Sequence, residues 1–256
     1  STSQSNNTAS LTEKILPTVT NVTSTTSDGS YKQGETIAIT VVFSEVVNVT
    51  DIPQLTLETG SSDAVVNYSS GTGSNTLTFN YTIGSGETSG DLDYKSTSSL
   101  ALNNGTIKDA ALNAATLTLA SPGAPNSLGA NTALIVDTSV PTISGVSLNA
   151  ANSQLTVTFA EDVYNTNGGS GDLEVADFAL SISGGAAGVN ATPASITKTS
   201  QSIWVLGLTL TGGTANGSET LTVVPAAGTA IYDKAGNAAS TSQSNNTASL
   251  TEKILP

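Results

Sequence analysis

The chain contains no cysteine, histidine, methionine or arginine, and seven cations stand against twenty carboxylates for a net charge of −13. Each absence removes chemistry. Without His or Cys there is no imidazole base, thiolate nucleophile or soft zinc site. A Ser–Lys or carboxylate-pair enzyme would need a motif that this sequence lacks, so the expectation is that the protein is not an enzyme. Acidity without arginine argues against nucleic acid, whose phosphates are met by clustered cations, and against docking on anionic lipid. No run approaches the roughly 18 apolar residues of a membrane-crossing helix, and no signal peptide opens the sequence. Lacking disulfides, the fold has to be held by core packing or by metal. What is abundant is Ser, Thr, Asn and Gly, with charged residues at 11% and aromatics at 4%. That surface suits an extracellular, cell-surface protein.

The most informative feature present is a repeat. Residues 1–17, Ser-Thr-Ser-Gln-Ser-Asn-Asn-Thr-Ala-Ser-Leu-Thr-Glu-Lys-Ile-Leu-Pro, recur unchanged at 240–256, so residues 1–239 form one period of a tandem array. Solenoid units run about 20–50 residues, and a period this long fits a string of autonomous domains instead. A weaker repeat lies inside it. Asn7-Thr8-Ala9, Glu13 and Pro17-Thr18-Val19 match Asn131-Thr132-Ala133, Asp137 and Pro141-Thr142-Ile143. Both halves then pass through Phe-small-Glu (Phe43-Ser44-Glu45; Phe159-Ala160-Glu161) and Ile-x-Asp (Ile107-Lys108-Asp109; Ile231-Tyr232-Asp233). Each half is about 120 residues, the size of one small domain. The expected division is a terminal strand and linker of the preceding repeat at 1–17, domain one at 18–140, domain two at 141–251 and a linker at 252–256.

Apolar residues alternate with polar ones wherever a pattern exists. Ile37, Ile39, Val41 and Phe43 share one strand face, as do Leu77, Phe79, Tyr81 and Ile83,. The expectation is strands near 18–25, 35–43, 54–58, 63–68, 75–83, 98–108 and 131–137. In the second half they fall near 142–148, 153–160, 173–182, 189–198, 202–210, 220–225 and 243–250. At most a turn or two of helix is expected, with one short turn over 110–115. Seven short strands per half, parted by Gly, Ser, Asn and Asp loops, point to an all-β protein of two tandem immunoglobulin-like (cadherin-like) β-sandwich domains. Trp204 and the other large apolar residues are assigned to the cores.

If strands run up and down a sandwich, loop parity assigns each acidic loop to an end. Asp28, Glu35, Asp91, Asp93 and Asp137, with Glu87, then share one end of domain one. Glu161, Asp162 and Asp233, with Asn237, fall at the facing end of domain two. Crowded carboxylates without arginine need bound cations or wide separation. Calcium takes six to eight oxygens in flexible geometry, which such loops supply, so the expected metal ligands come from Asp28, Glu35, Asp91, Asp93, Asp137, Glu161, Asp162 and Asp233. The competing reading is that these are solvated loop charges serving solubility, since no EF-hand loop is present. A second constellation, Glu13, Glu45, Asp51 and Asp109, matches Asp137, Glu161 and Asp233 by position; Asx residues that cap turns would produce the same recurrence.

The segments Asp28-Gly29-Ser30-Tyr31-Lys32-Gln33-Gly34-Glu35-Thr36-Ile37, Phe43-Ser44-Glu45-Val46-Val47, Asp91-Leu92-Asp93-Tyr94 and Ile107-Lys108-Asp109-Ala110 resemble repeats of giant bacterial surface proteins, the swimming-associated cell-surface type and large adhesins. Through Phe159-Ala160-Glu161, Asp177-Phe178-Ala179-Leu180 and Tyr232-Asp233-Lys234-Ala235-Gly236-Asn237 the second half resembles bacterial Ig-like domains of surface-layer and adhesin proteins. This resemblance implies an extracellular, often calcium-stabilised sandwich array, in which such modules serve as stalks.

The leading expectation is therefore a structural spacer, with neighbouring repeats of the same protein as its partners, advancing about 80 Å per period if strands of eight to ten residues set the domain length. One alternative is a glycan- or protein-binding module, although exposed aromatic platforms would be expected of a sugar site. The other is a filament subunit that self-assembles through its terminal strand. Residues 243–250 are expected to form the last strand of domain two. The identical residues 4–11 are expected to be disordered, linker or paired with another molecule.

Overall fold

Alternating β-branched and polar residues, broken by glycine and asparagine, give strands and little else. The computed structural model describes residues 14–253, and the expectations for residues 4–11 and for Glu13 lie outside these. Among the described residues the protein is nearly all β, built from antiparallel sheets with one four-residue helix and a single 3₁₀ turn. It divides into two units at Val136/Asp137, with the short stretch Ser30–Lys32 grouped with the second.

Unit 1 contains β1 (Val19–Ser24), then, after β2 (Gly29–Tyr31) whose Ser30 and Tyr31 group with unit 2, β3 (Thr36–Thr50), β4 (Gln54–Leu57), β5 (Ala64–Ser70), β6 (Ser74–Thr82), β7 (Thr88–Ser89), β8 (Leu100–Ala101), β9 (Thr106–Lys108), α1 (Leu128–Asn131) and β10 (Leu134–Asp137), of which Asp137 groups with unit 2. Its main sheet runs β1-β3-β6-β5-β4-β8 with β9 against the far end of β3, and a smaller one runs β2-β10-β7. The alternation in β3 and β6 sends Ile37, Ile39, Val41, Phe43, Leu77, Phe79 and Tyr81 inward, all nearly fully buried. At about 1.5–3 kcal/mol per fully buried side chain, these residues dominate the stability of the unit.

Unit 2 contains β11 (Ile143–Leu148), β12 (Gln154–Phe159), β13 (Phe178–Ser183), β14 (Ala187–Val189), β15 (Ser195–Ser200), β16 (Ile203–Gly207), β17 (Leu210–Gly212), β18 (Thr220–Pro225) and β19 (Thr247–Ser249). The sheets β11-β12-β16-β15 and β13-β18-β19 enclose one apolar cluster that includes Val157, Trp204 and Leu206 from the first and Phe178, Val223 and Leu250 from the region of the second. Trp204 donates its indole N–H to the Gln201 carbonyl at 3.0 Å, and Lys198 lies over the ring.

Several expected strands are shorter or divided. The stretch 98–108 splits into β8 and β9, because Asn103 and Asn104 both adopt positive φ, 47° and 66°, and end the ladder,. The stretch 189–198 likewise becomes β14 and β15, and 173–182 opens with a 3₁₀ turn, Val175–Asp177. The helical turn falls at α1, capped by the Ser127 hydroxyl, and not at 110–115. The last strand occupies three of the eight residues expected for it, and β3 continues to Thr50 through a register shift between Val42 and Val47.

The weak internal repeat has a structural counterpart. In unit 1 Val19 pairs with Phe43 and a bulge follows before Asn21 pairs with Val42; in unit 2 Ile143 pairs with Phe159 and the same bulge precedes Gly145 opposite Thr158. Asp109 accepts the backbone and side-chain N–H groups of Asn113, and Asp233 accepts those of Asn237, closing matching five-residue loops.

Candidate metal centre

In unit 2 the strand order brings three loop ends together. Asp137 ends β10, Glu161 lies two residues past β12, and Asp233 opens the Asp233–Asn237 loop. One oxygen from each of Asp137, Glu161 and Asp233 lies within 4.8 Å of the others. Asp233 is 1% exposed and held by Asn237, whose side-chain amide bridges its carboxylate at 2.7 Å to the Asp137 carbonyl at 2.8 Å. Burial raises the Glu161 carboxyl, and Asp233, Asp137 and Asp162 add to the effect, pushing it up to about 7. Burial also raises Asp233, partly offset by its hydrogen bonds from Asn237. The pocket therefore disfavours its own negative charge.

Of the eight residues expected to bind metal, the structure gathers Asp137, Glu161 and Asp233, with exposed Asp162 beside them. A second group forms within unit 1. Asp91 is raised by burial, then by Asp93 and Asp28. Asp93 accepts the Tyr94 and Gly123 amides, and Asp28 accepts the Ala133 amide. Both oxygens of Asp93 and one of Asp28 thus already accept backbone amides. Glu35 is exposed at the start of β3, where its carbonyl accepts the Ile83 amide.

A carboxylate that sequence reasoning missed is Glu219. It is fully buried, and its oxygens accept the amides of Ala186, Ala187, Asn216 and Gly217 at 2.9 to 3.3 Å. Burial alone would raise its pKa, but the amides outweigh that and hold it below the usual carboxylate range. Glu219 is a structural pin for the loop before β18. Gly84-Ser85-Gly86-Glu87 carries the same device in unit 1, where Glu87 accepts the Gly84 amide three residues earlier, as Glu219 accepts that of Asn216.

A cleft of about 610 Å³ lies in unit 1 and is lined by Asp63, Val65, Asn67, Tyr68, Asn80, Tyr81 and Glu87 among others. It opens where β5 leaves β6: Ala64–Leu57 through Asn67–Gln54 are paired with β4, and only Tyr68 and Ser70 pair with β6. Tyr81 is 2% exposed with its hydroxyl on Glu87, so it offers no stacking face.

No protein-family model matches this sequence, and no curated protein matches it. No helix among the described residues is long and apolar enough to cross a membrane.

Proposed function

We propose that the chain is a piece of a tandem array of immunoglobulin-like β-sandwich domains that acts as a spacer in an extracellular surface protein and has no catalytic role. One observation carries this reading: the segment that completes unit 2 is repeated unchanged at residues 1–17, ahead of β1 in the sequence. The segment therefore recurs once per pair of units, the spacing that a tandem array of such pairs would have. The chain's partners in this reading are the neighbouring repeats of the same protein, and reach grows with copy number. Calcium is the cation we assign to Asp137, Glu161 and Asp233. The donors are oxygen only, one is deeply buried, and three carboxylates with water can complete a coordination of six to eight,. A bound cation would offset the burial and the carboxylate repulsion that together raise Glu161. A glycan-binding role is less well supported, because among the described residues the exposed large hydrophobics include no aromatic.

The test is small-angle scattering on arrays of one, two and four periods, in excess calcium and in chelator. The maximum dimension is expected to grow by about 80 Å per period, with stiffer profiles in calcium. Dimensions that do not scale with copy number would overturn the spacer reading.

A further inference from the structure

Unit 2 is closed by a segment with its own recognition code. Thr222, Leu221 and Thr220 of β18 pair with Thr247, Ala248 and Ser249. On either side of that ladder the contacts are side-chain specific. The Gln243 side-chain oxygen accepts the Ile143 amide at 2.7 Å, and the Asn246 side-chain amide donates to the Val223 carbonyl at 2.8 Å while Val223 donates back to the Asn246 carbonyl. Leu250 enters the core at 3% exposure and donates its amide to the Glu219 carbonyl. Buried Asn152 brackets Thr251, donating to its carbonyl at 2.7 Å and accepting its amide at 2.8 Å. Lys253 closes the run on the Ala215 carbonyl. Every one of these residues recurs in order as Gln4, Asn7, Thr8, Ala9, Ser10, Leu11, Thr12 and Lys14.

We infer that the slot beside β18 accepts the 1–14 segment of a second copy of this chain, so that two molecules can join by strand exchange without any new contact chemistry. Because the incoming segment is identical, each contact that the resident strand makes is available to it. The resident strand wins in a single chain through its high effective concentration. Exchange follows when the resident strand is displaced or when chains are crowded, and the interface is heterologous, so exchange propagates head to tail. The inference rests on the array reading for its setting alone. Failed exchange leaves the scaling of length with copy number intact, and failed scaling leaves the exchange assay unaffected.

The test uses the full chain. Leu250→Asp disables the resident strand and leaves Leu11 in place; Ser10→Cys and Thr220→Cys then report pairing, since Thr220 faces Ser249 and the protein has no other cysteine. Disulfide-linked multimers are expected in this variant, and their loss when Leu11→Asp is added. A control with Thr220→Cys and Ser249→Cys, on the otherwise native chain, is expected to give a linked monomer. Absence of multimers in the Leu250→Asp chain would overturn the inference, as would a linked monomer in that chain, which would mean that segment 1–14 folds back on its own unit. A synthetic peptide of residues 240–256 should raise the melting temperature of Leu250→Asp. Rescue by that peptide without chain-to-chain linkage would also count against exchange.

Discussion

Unit 1 and unit 2 share the positions where the backbone needs a particular hydrogen bond and differ where side chains merely have to fill space. The bulge after Val19 and Ile143, the Asp109 and Asp233 loops, and the Glu87 and Glu219 pins recur in both. The residues between them diverge. Opposite Val41, two positions before the bulge partner Phe43, stands Leu77; opposite Val157, two before Phe159, stands Trp204. Volume can be redistributed among neighbours, whereas a buried amide without an acceptor costs about 1–3 kcal/mol wherever it occurs. The halves also close differently. Unit 2 pairs β14 with β17 beyond the end of β16, while β5 of unit 1 turns its first residues to β4 and leaves a cleft beside Asn80–Thr82.

The largest effect that would sharpen the comparison is expected at the centre of unit 2. Trp204→Ala should cost about 3–5 kcal/mol, because a cavity remains where the largest core side chain stood,. If the units fold independently, calorimetry should show one transition moved and the other unchanged. A single shifted transition would break the two-unit description.

Second in size is a pH effect on unit 2. The Glu161 carboxyl sits at about 7 in the folded state against 4.5 as its ordinary value. Between those values the folded state keeps a proton that the unfolded chain releases, so cation-free stability is full below about 4.5 and is lost as pH rises through about 7. Allowing for partial solvent screening, the loss is about 2 kcal/mol. Glu161→Gln should flatten the slope. Calcium should flatten it in the native protein and raise the melting temperature at pH 7.5 by mass action. A chelator-insensitive profile would leave Asp137, Glu161 and Asp233 without a metal role. Glu219 works in the opposite sense, since its lowered pKa favours folding above its unfolded value and is lost as pH falls through the folded one.

The smallest expected change lies in the two matching loops. At the position before the asparagine, unit 1 holds Leu112 at φ 70° and unit 2 holds Gly236 at φ 88°. Leu112 is 75% exposed, so its side chain gains little there, and a left-handed non-glycine residue costs about 1–2 kcal/mol,. Leu112→Gly should stabilise unit 1 by about 1 kcal/mol in urea titration, less what glycine adds to the entropy of the unfolded chain. Gly236→Leu should destabilise unit 2, both through the same strain and because a Cβ there would run into the Asn167 side-chain oxygen.

The sequence by itself determined the strand faces, because a period of two needs no partner to be read: Ile37, Ile39, Val41 and Phe43 went inward as their spacing required. It also carried the exact recurrence of 1–17 at 240–256, the landmarks common to both halves and the candidacy of Asp137, Glu161 and Asp233, since these rest on recurring residues. Tertiary structure decided what depends on which segments meet. The Trp204 strand shows this: Trp204 and Leu206 face the core, and Ile203 and Val205 are half-buried against β12 and β15, which alternation among uniformly apolar residues left unspecified. The division of 98–108 came from two consecutive left-handed asparagines, and Glu219 was indistinguishable from a surface carboxylate until the distant amides of Ala186 and Ala187 joined those of its own turn, Asn216 and Gly217, on it. Local pattern fixes which way a residue points, but hydrogen bonding and desolvation between segments far apart in sequence fix which carboxylates become buried, and only the fold supplies those neighbours.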